Sequence, residues 1–89
     1  MKMLVSHKVN GKYAECGTND QILRSNYKTV KGLIRYGIPE KWLDDGVRIQ
    51  VWRDDNIYRD PDSVYYYESK YPVIWPVLNA GYYGLKCND

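Results

Sequence analysis

The 89-residue chain has no phenylalanine, a single histidine, two cysteines and no apolar run long enough to span a membrane. Each shortage excludes something. A zinc site takes about four ligands, and His7, Cys16 and Cys87 fall short of that. The opening MKMLVSHKV lacks the apolar stretch of a signal peptide. The expectation is therefore a cytoplasmic, intracellular chain with both thiols reduced. No G-x-S-x-G, P-loop or H-E-x-x-H occurs. Nothing in the sequence suggests an enzyme or a cofactor, and no motif carries a family resemblance.

What replaces phenylalanine is tyrosine: ten Tyr stand beside three Trp. A chain that needed only packing would use Phe somewhere, because each Tyr hydroxyl asks for a partner or water. Two readings account for this. Tyr suits half-buried strands, and it suits a surface that meets a partner. The charge is uneven as well. Residues 1–36 hold seven Lys or Arg against Glu15 and Asp20, whereas residues 37–89 hold six against nine acids. Two electrically different surfaces follow, short of a strongly basic nucleic-acid binder.

At this length the chain reads as one domain, residues 1–89, with a small core. Asn10-Gly11 marks a two-residue turn, predicting a hairpin over 3–16 with Val9 opposite Lys12. Val5, His7, Val9, Ala14 and Cys16 then share the core face, which makes His7 a half-buried strand residue. Cys16 shares that face, but no third group orients a Cys–His pair for nucleophilic chemistry. Thr18 to Gln21 fits a capping box. Leu23, Tyr27, Val30 and Ile34 recur at helical spacing, and Gly37-Ile38-Pro39 is a stop. The spacing predicts a helix over about 19–36. Ser25-Asn26 and Gly32 are its weak points, leaving open a break near 25–28 with Thr29 capping a second helix. Glu40–Gly46 is a connection with room for one helical turn around Trp42. Val47–Arg53 alternates as a strand, and Val64–Glu68 is another. Pro72 and Pro76 confine the next segment to a short edge piece at Val73–Trp75. The fold class expected is α+β. It has two layers: an antiparallel sheet of about four to five strands, hairpin first, with one helix on one face.

Arg24, Lys28, Lys31 and Arg35 recur at i, i+4, i+7 and i+11, so one continuous helix would carry them as a row of cations. No acid follows Asp20 on that helix. Such a row suits an acidic protein surface or phosphates; as a solvated face it needs no partner. The stretch VYYYESKYPVIWP is the second feature. Tyr66 is expected under the helix with Val64. Tyr65 and Tyr67 are expected to point outward beside Tyr71 and Trp75, with Tyr82 and Tyr83 near them. Trp52 and Arg48 could join Tyr65 and Tyr67 as a base-stacking platform on one sheet face. A winged helix-turn-helix is the other nucleic-acid arrangement, with 29–36 as recognition helix and 47–58 as wing. In DDNIYRDPD, an EF-hand count from Asp54 puts Arg59 where Gly belongs and Tyr65 where Glu belongs, so turns rather than metal explain it.

The reading that gathers these features is a non-enzymatic interaction module. It docks on an acidic protein surface through the basic helix face and the aromatic segment, with no membrane role. Small phage-type inhibitors of host defence or nucleic-acid machinery share this size and composition, an analogy only. The alternatives are a nucleic-acid binder using the basic row and a nucleotide-like small-ligand binder with an aromatic pocket.

Overall fold

A computed structural model describes residues 1–15 and 19–68, together with the backbone of 71–77. The element order is β1 (Lys2–Val9), β2 (Lys12–Tyr13), β3 (Gln21–Arg24), α1 (Val30–Tyr36), α2 (Glu40–Asp45), β4 (Val47–Trp52), β5 (Ser63–Glu68) and β6 (Tyr71–Val77). All strand pairs are antiparallel. The sheet runs β2-β1-β4-β5-β6, and β3 also pairs β1. The sheet curls into a half-barrel, with short helices beside it. The α+β antiparallel class read from the sequence is the class observed.

The hairpin forms as its turn residues dictate. Asn10 and Gly11 both take positive φ, 53° and 78°, and Val9 pairs Lys12. Its second strand is only two residues long, which leaves most of that edge of β1 without a partner. Gln21–Arg24 takes the edge. Val5 pairs Ile22 and Leu4 pairs Leu23. The helix expected over 19–36 is therefore corrected: its first part is a strand. The helical spacing of Leu23 with Tyr27 was coincidental, because a four-residue segment gains more by pairing with a buried strand than by propagating a helix through Ser25-Asn26. The helix starts where Thr29 caps it, the hydroxyl accepting from the Gly32 N–H at 3.1 Å. It ends at Gly37, whose N–H bonds the Leu33 carbonyl at 2.7 Å. A Cβ on Gly37 would lie 2.8 Å from Tyr27 Cε2 and 2.9 Å from Leu33 Cδ1, so only glycine lets the chain pass this closely. The sixth strand is longer than the edge piece expected at 73–75. Pro76 stands opposite Tyr65, which suits a position that donates no ladder bond.

The two faces of the sheet are built differently. One face carries Met3, Val5, Val47, Ile49 and Val51, closed by Leu33 and Ile38, with Trp42, Tyr65 and Tyr67 packed around them. The other carries Leu4, Trp52 and Ile57, with Ser6, Gln50 and Val64 also buried. Along β1 and β4 both faces are buried, so β1 reads as an apolar run at Met3–Val5 rather than as an alternation. Val9, expected on the core face, is exposed because it sits at the turn.

Gln50 breaks the pattern. Its side chain is sealed from solvent, yet among the described residues neither Nε2 nor Oε1 meets a hydrogen-bond partner. A buried carboxamide left unsatisfied costs about 1–3 kcal/mol. Gln50→Met, which keeps length and removes both polar atoms, is expected to raise stability by about 1–2 kcal/mol, read as a higher urea midpoint at unchanged m-value. A lowered midpoint would mean that the amide has a partner worth keeping.

Candidate functional site

The basic surface is built by α1 and its lead-in. Leu33 is fully buried, and Val30, Ile34 and Tyr27 pack partway into the core. Helical geometry then turns Lys31 and Arg35 outward, and both are exposed, as is Lys28 in the approach to the cap. Tyr36 is 73% exposed, and the Arg35 guanidinium stands 5.5 Å from its ring centroid. Residues 21–39 contain no Asp or Glu. Among the described residues, no carboxylate pairs with Lys28, Lys31 or Arg35. Two cations elsewhere do have carboxylate partners: Lys41 pairs Asp45 at 3.2 Å, and Arg59 pairs Asp54 at 3.2 Å and Asp62 at 3.0 Å.

The row of four cations does not form. Arg24 belongs to β3, and its Nε donates to the Gly37 carbonyl at 3.1 Å. That bond satisfies the C-terminal end of α1, where a cation is favoured. Lys31 and Arg35 remain on the helix, with Lys28 before it. Tyr36, the last residue of the helix, joins them as an exposed ring.

The aromatic residues divide. Trp52 is fully buried, and its indole N–H donates to the Arg59 carbonyl at 2.9 Å, so the expectation of a contact surface there is corrected. Tyr65 pairs Ile49 and Tyr67 pairs Val47, which puts both on the helix-covered face, half-buried against the core. Tyr66, expected under the helix, lies on the opposite face, its ring 5.3 Å from that of Tyr13. Arg48 pairs Tyr66 and stands 5.7 Å from the Tyr13 ring. The stacking platform of Tyr65, Tyr67, Trp52 and Arg48 is therefore split across the two faces. The phase error arose because β5 was read with Val64 toward the helix, and a one-residue shift in facing exchanges every side chain. The winged helix-turn-helix fails as well: its first helix would have to come from Asn19–Arg24, and Gln21–Arg24 is a strand. Tyr71 and Trp75 lie on β6, Trp75 opposite Tyr66, and their side chains are outside the described residues. Tyr82, Tyr83, Cys16 and Cys87 are also outside them.

The loop between β4 and β5 is held by turn chemistry. Asp54 Oδ1 accepts from the Asn56 N–H at 2.9 Å, and Asp62 Oδ2 accepts from the Arg53 N–H at 2.7 Å. Arg59 forks onto Asp62 through both terminal nitrogens. The Arg59 guanidinium, and then the Arg53 N–H, hold the Asp62 carboxyl below the usual carboxylate range. Among the described residues, no group of three or more His, Cys, Asp or Glu could hold a metal ion. No described helix is long and apolar enough to cross a membrane.

A second constellation was not read from the sequence. His7 faces the core side of β1, stacked on Trp42 with centroids 4.9 Å apart and planes 3° from parallel. Its Nε2 is 2.8 Å from Asp45 Oδ2, and its Nδ1 is 3.3 Å from Asp20 Oδ1. With a carboxylate on each ring nitrogen, neither nitrogen faces an incoming molecule. Only the i, i+4 spacing of Lys41 and Asp45 leaves a mark in the sequence, because the other contacts join residues 13 and 38 positions apart. No known family, curated protein or solved structure matches the chain.

Asp45 is held below the ordinary aspartate range, first by the hydrogen bond with His7 and then by that with Lys41. A carboxyl lowered on folding contributes stability that is present above its unfolded value and is lost as pH falls through its folded value. Between about pH 5 and pH 2 the wild-type urea midpoint should therefore fall more steeply than that of Asp45→Asn. Equal slopes would show that Asp45 contributes nothing on folding.

Proposed function

We propose that the chain is a non-enzymatic protein-interaction module that docks on an acidic protein surface through the Lys28–Tyr36 face. The observation that carries this reading is a cluster of exposed cations in a stretch, residues 21–39, that contains no Asp or Glu. Lys41 and Arg59 each have carboxylate partners, whereas Lys28, Lys31 and Arg35 are exposed without one among the described residues. Beside them Tyr36 is 73% exposed. A rigid ring next to a guanidinium is an anchor of the kind interfaces favour, and uncompensated cations steer an acidic partner into register.

Three cations and one open ring suit a protein better than a nucleic-acid strand. A strand needs a run of phosphate contacts with successive stacking rings. Here Trp52 is buried, and Tyr65 and Tyr67 are half-buried under the helices. The reading carries with it a cytoplasmic setting and, by analogy of size and composition, an inhibitor or adaptor role.

The test is charge reversal at Lys28→Glu, Lys31→Glu and Arg35→Glu together. These side chains are exposed, so the far-UV spectrum and urea midpoint should hold close to wild type. Proteins captured from the source organism's lysate by the wild type should be lost with the triple variant, since like-charge contacts across an interface cost several kcal/mol. Capture that survives reversal contradicts the proposal. A gel shift of an arbitrary oligonucleotide at low salt, falling steeply as salt is added, would replace it with the nucleic-acid reading.

A further inference from the structure

His7 is the single histidine of the chain, and its side chain is only 8% exposed. Two carboxylates bracket its ring edge to edge, Asp45 at 2.8 Å on Nε2 and Asp20 at 3.3 Å on Nδ1. A carboxylate only accepts, so each contact needs a proton on the ring nitrogen that it meets. The imidazolium has two N–H groups and satisfies both. The neutral ring has one, and its bare nitrogen then faces a carboxylate oxygen, lone pair against lone pair. So little of the ring is exposed that water relieves that opposition poorly.

The surroundings decide which contact survives. From α2 come Asp45 and, on its far side, Lys41 at 3.2 Å, while Trp42 covers the ring face. From the turn before β3 comes Asp20. From β4 comes Val47, the register partner of His7, which carries no charge. The residue after β2 brings the Ala14 N–H to the His7 carbonyl at 2.9 Å. Lys8 is next in the chain and turns to the other face of the sheet by alternation. Glu15 and Asp44, the remaining acids adjacent to these segments, are exposed. The Asp45 contact is the shorter, and its carboxylate also accepts from Lys41 at 3.2 Å; the Asp20 contact is longer and, among the described residues, has no second cation.

We propose that His7 is a proton-operated clamp. As the imidazolium it ties the turn before β3 to the end of α2 across β1; on losing one proton it keeps Asp45 and releases Asp20. The turn is then held to β1 by the His7 N–H on the Asp20 carbonyl at 2.8 Å and, one residue on, by the Gln21 carboxamide donating to the Ser6 hydroxyl at 3.0 Å. This inference stands on the core side of the sheet and does not depend on the docking face.

With one His in the chain, every ring signal belongs to His7. Across a pH series, ring 15N spectra should show protons on both nitrogens in the charged form and on Nε2 alone in the neutral form. The protection factor of the His7 amide should fall about fivefold from the charged to the neutral form, the equivalent of one ordinary hydrogen bond. In Asp20→Asn the carboxamide can accept from the charged ring or donate to the bare Nδ1, so protection should change by less than about twofold. A neutral ring protonated on Nδ1, wild-type protection that does not change, or an equal fall in Asp20→Asn would each overturn the clamp.

Discussion

Pairing along β1 is the constraint on which the rest of this structure depends. The strand is occupied on both edges, by β4 on one and by β3 with β2 on the other, and its residues from Met3 to His7 are all buried. In a chain this small a strand buried on both faces is most of the core. The hairpin covers only its last two residues on the far edge. The chain must return to cover the remainder, and Gln21–Arg24 is the segment that does so. Everything after that point, including where α1 can start and which cations it carries, follows from that return.

The consequences for charge are direct. Because residues 21–24 are extended, Arg24 caps the end of α1 through Gly37 instead of standing in a row with Lys28, Lys31 and Arg35. The helix becomes a short one whose exposed side carries two cations and Tyr36. Because the same return brings Asp20 beside His7, one acid of the basic half is consumed at the core edge rather than near α1. The uneven charge of the two halves of the chain is thus expressed locally as an acid-free stretch, residues 21–39, with three exposed cations.

Local signals were legible, and they were correct where the interaction is local. Asn10-Gly11 specified the turn, Thr29 and Gly37 the bounds of α1, and the alternation of Val47, Ile49 and Val51 the strand that meets it. Turn residues likewise specified the Asp54–Asp62 loop. What could not be read is set by partners distant in sequence. Gln21–Arg24 has a helical pattern in one window and a strand pattern in another, and only the open edge of β1 chooses. Trp52 looked like a surface ring because it alternates with Val51, but β4 is covered on both sides, so alternation carried no information about exposure. Tyr65 and Tyr67 were misassigned by facing, and no residue within β5 distinguishes its two sides. The bracket around His7 joins three separate segments and leaves no mark in any one of them.

The return strand can be tested without reference to function. Backbone 13Cα and 13Cβ shifts over residues 19–36, together with the cross-strand contact between Leu4 and Leu23, report it directly. Extended-type shifts are expected at Gln21–Arg24 with that contact present, and helical shifts beginning only after Thr29. Continuous helical shifts from Asn19 through Tyr36, with no Leu4–Leu23 contact, would contradict it and restore the single helix with its four-cation ridge.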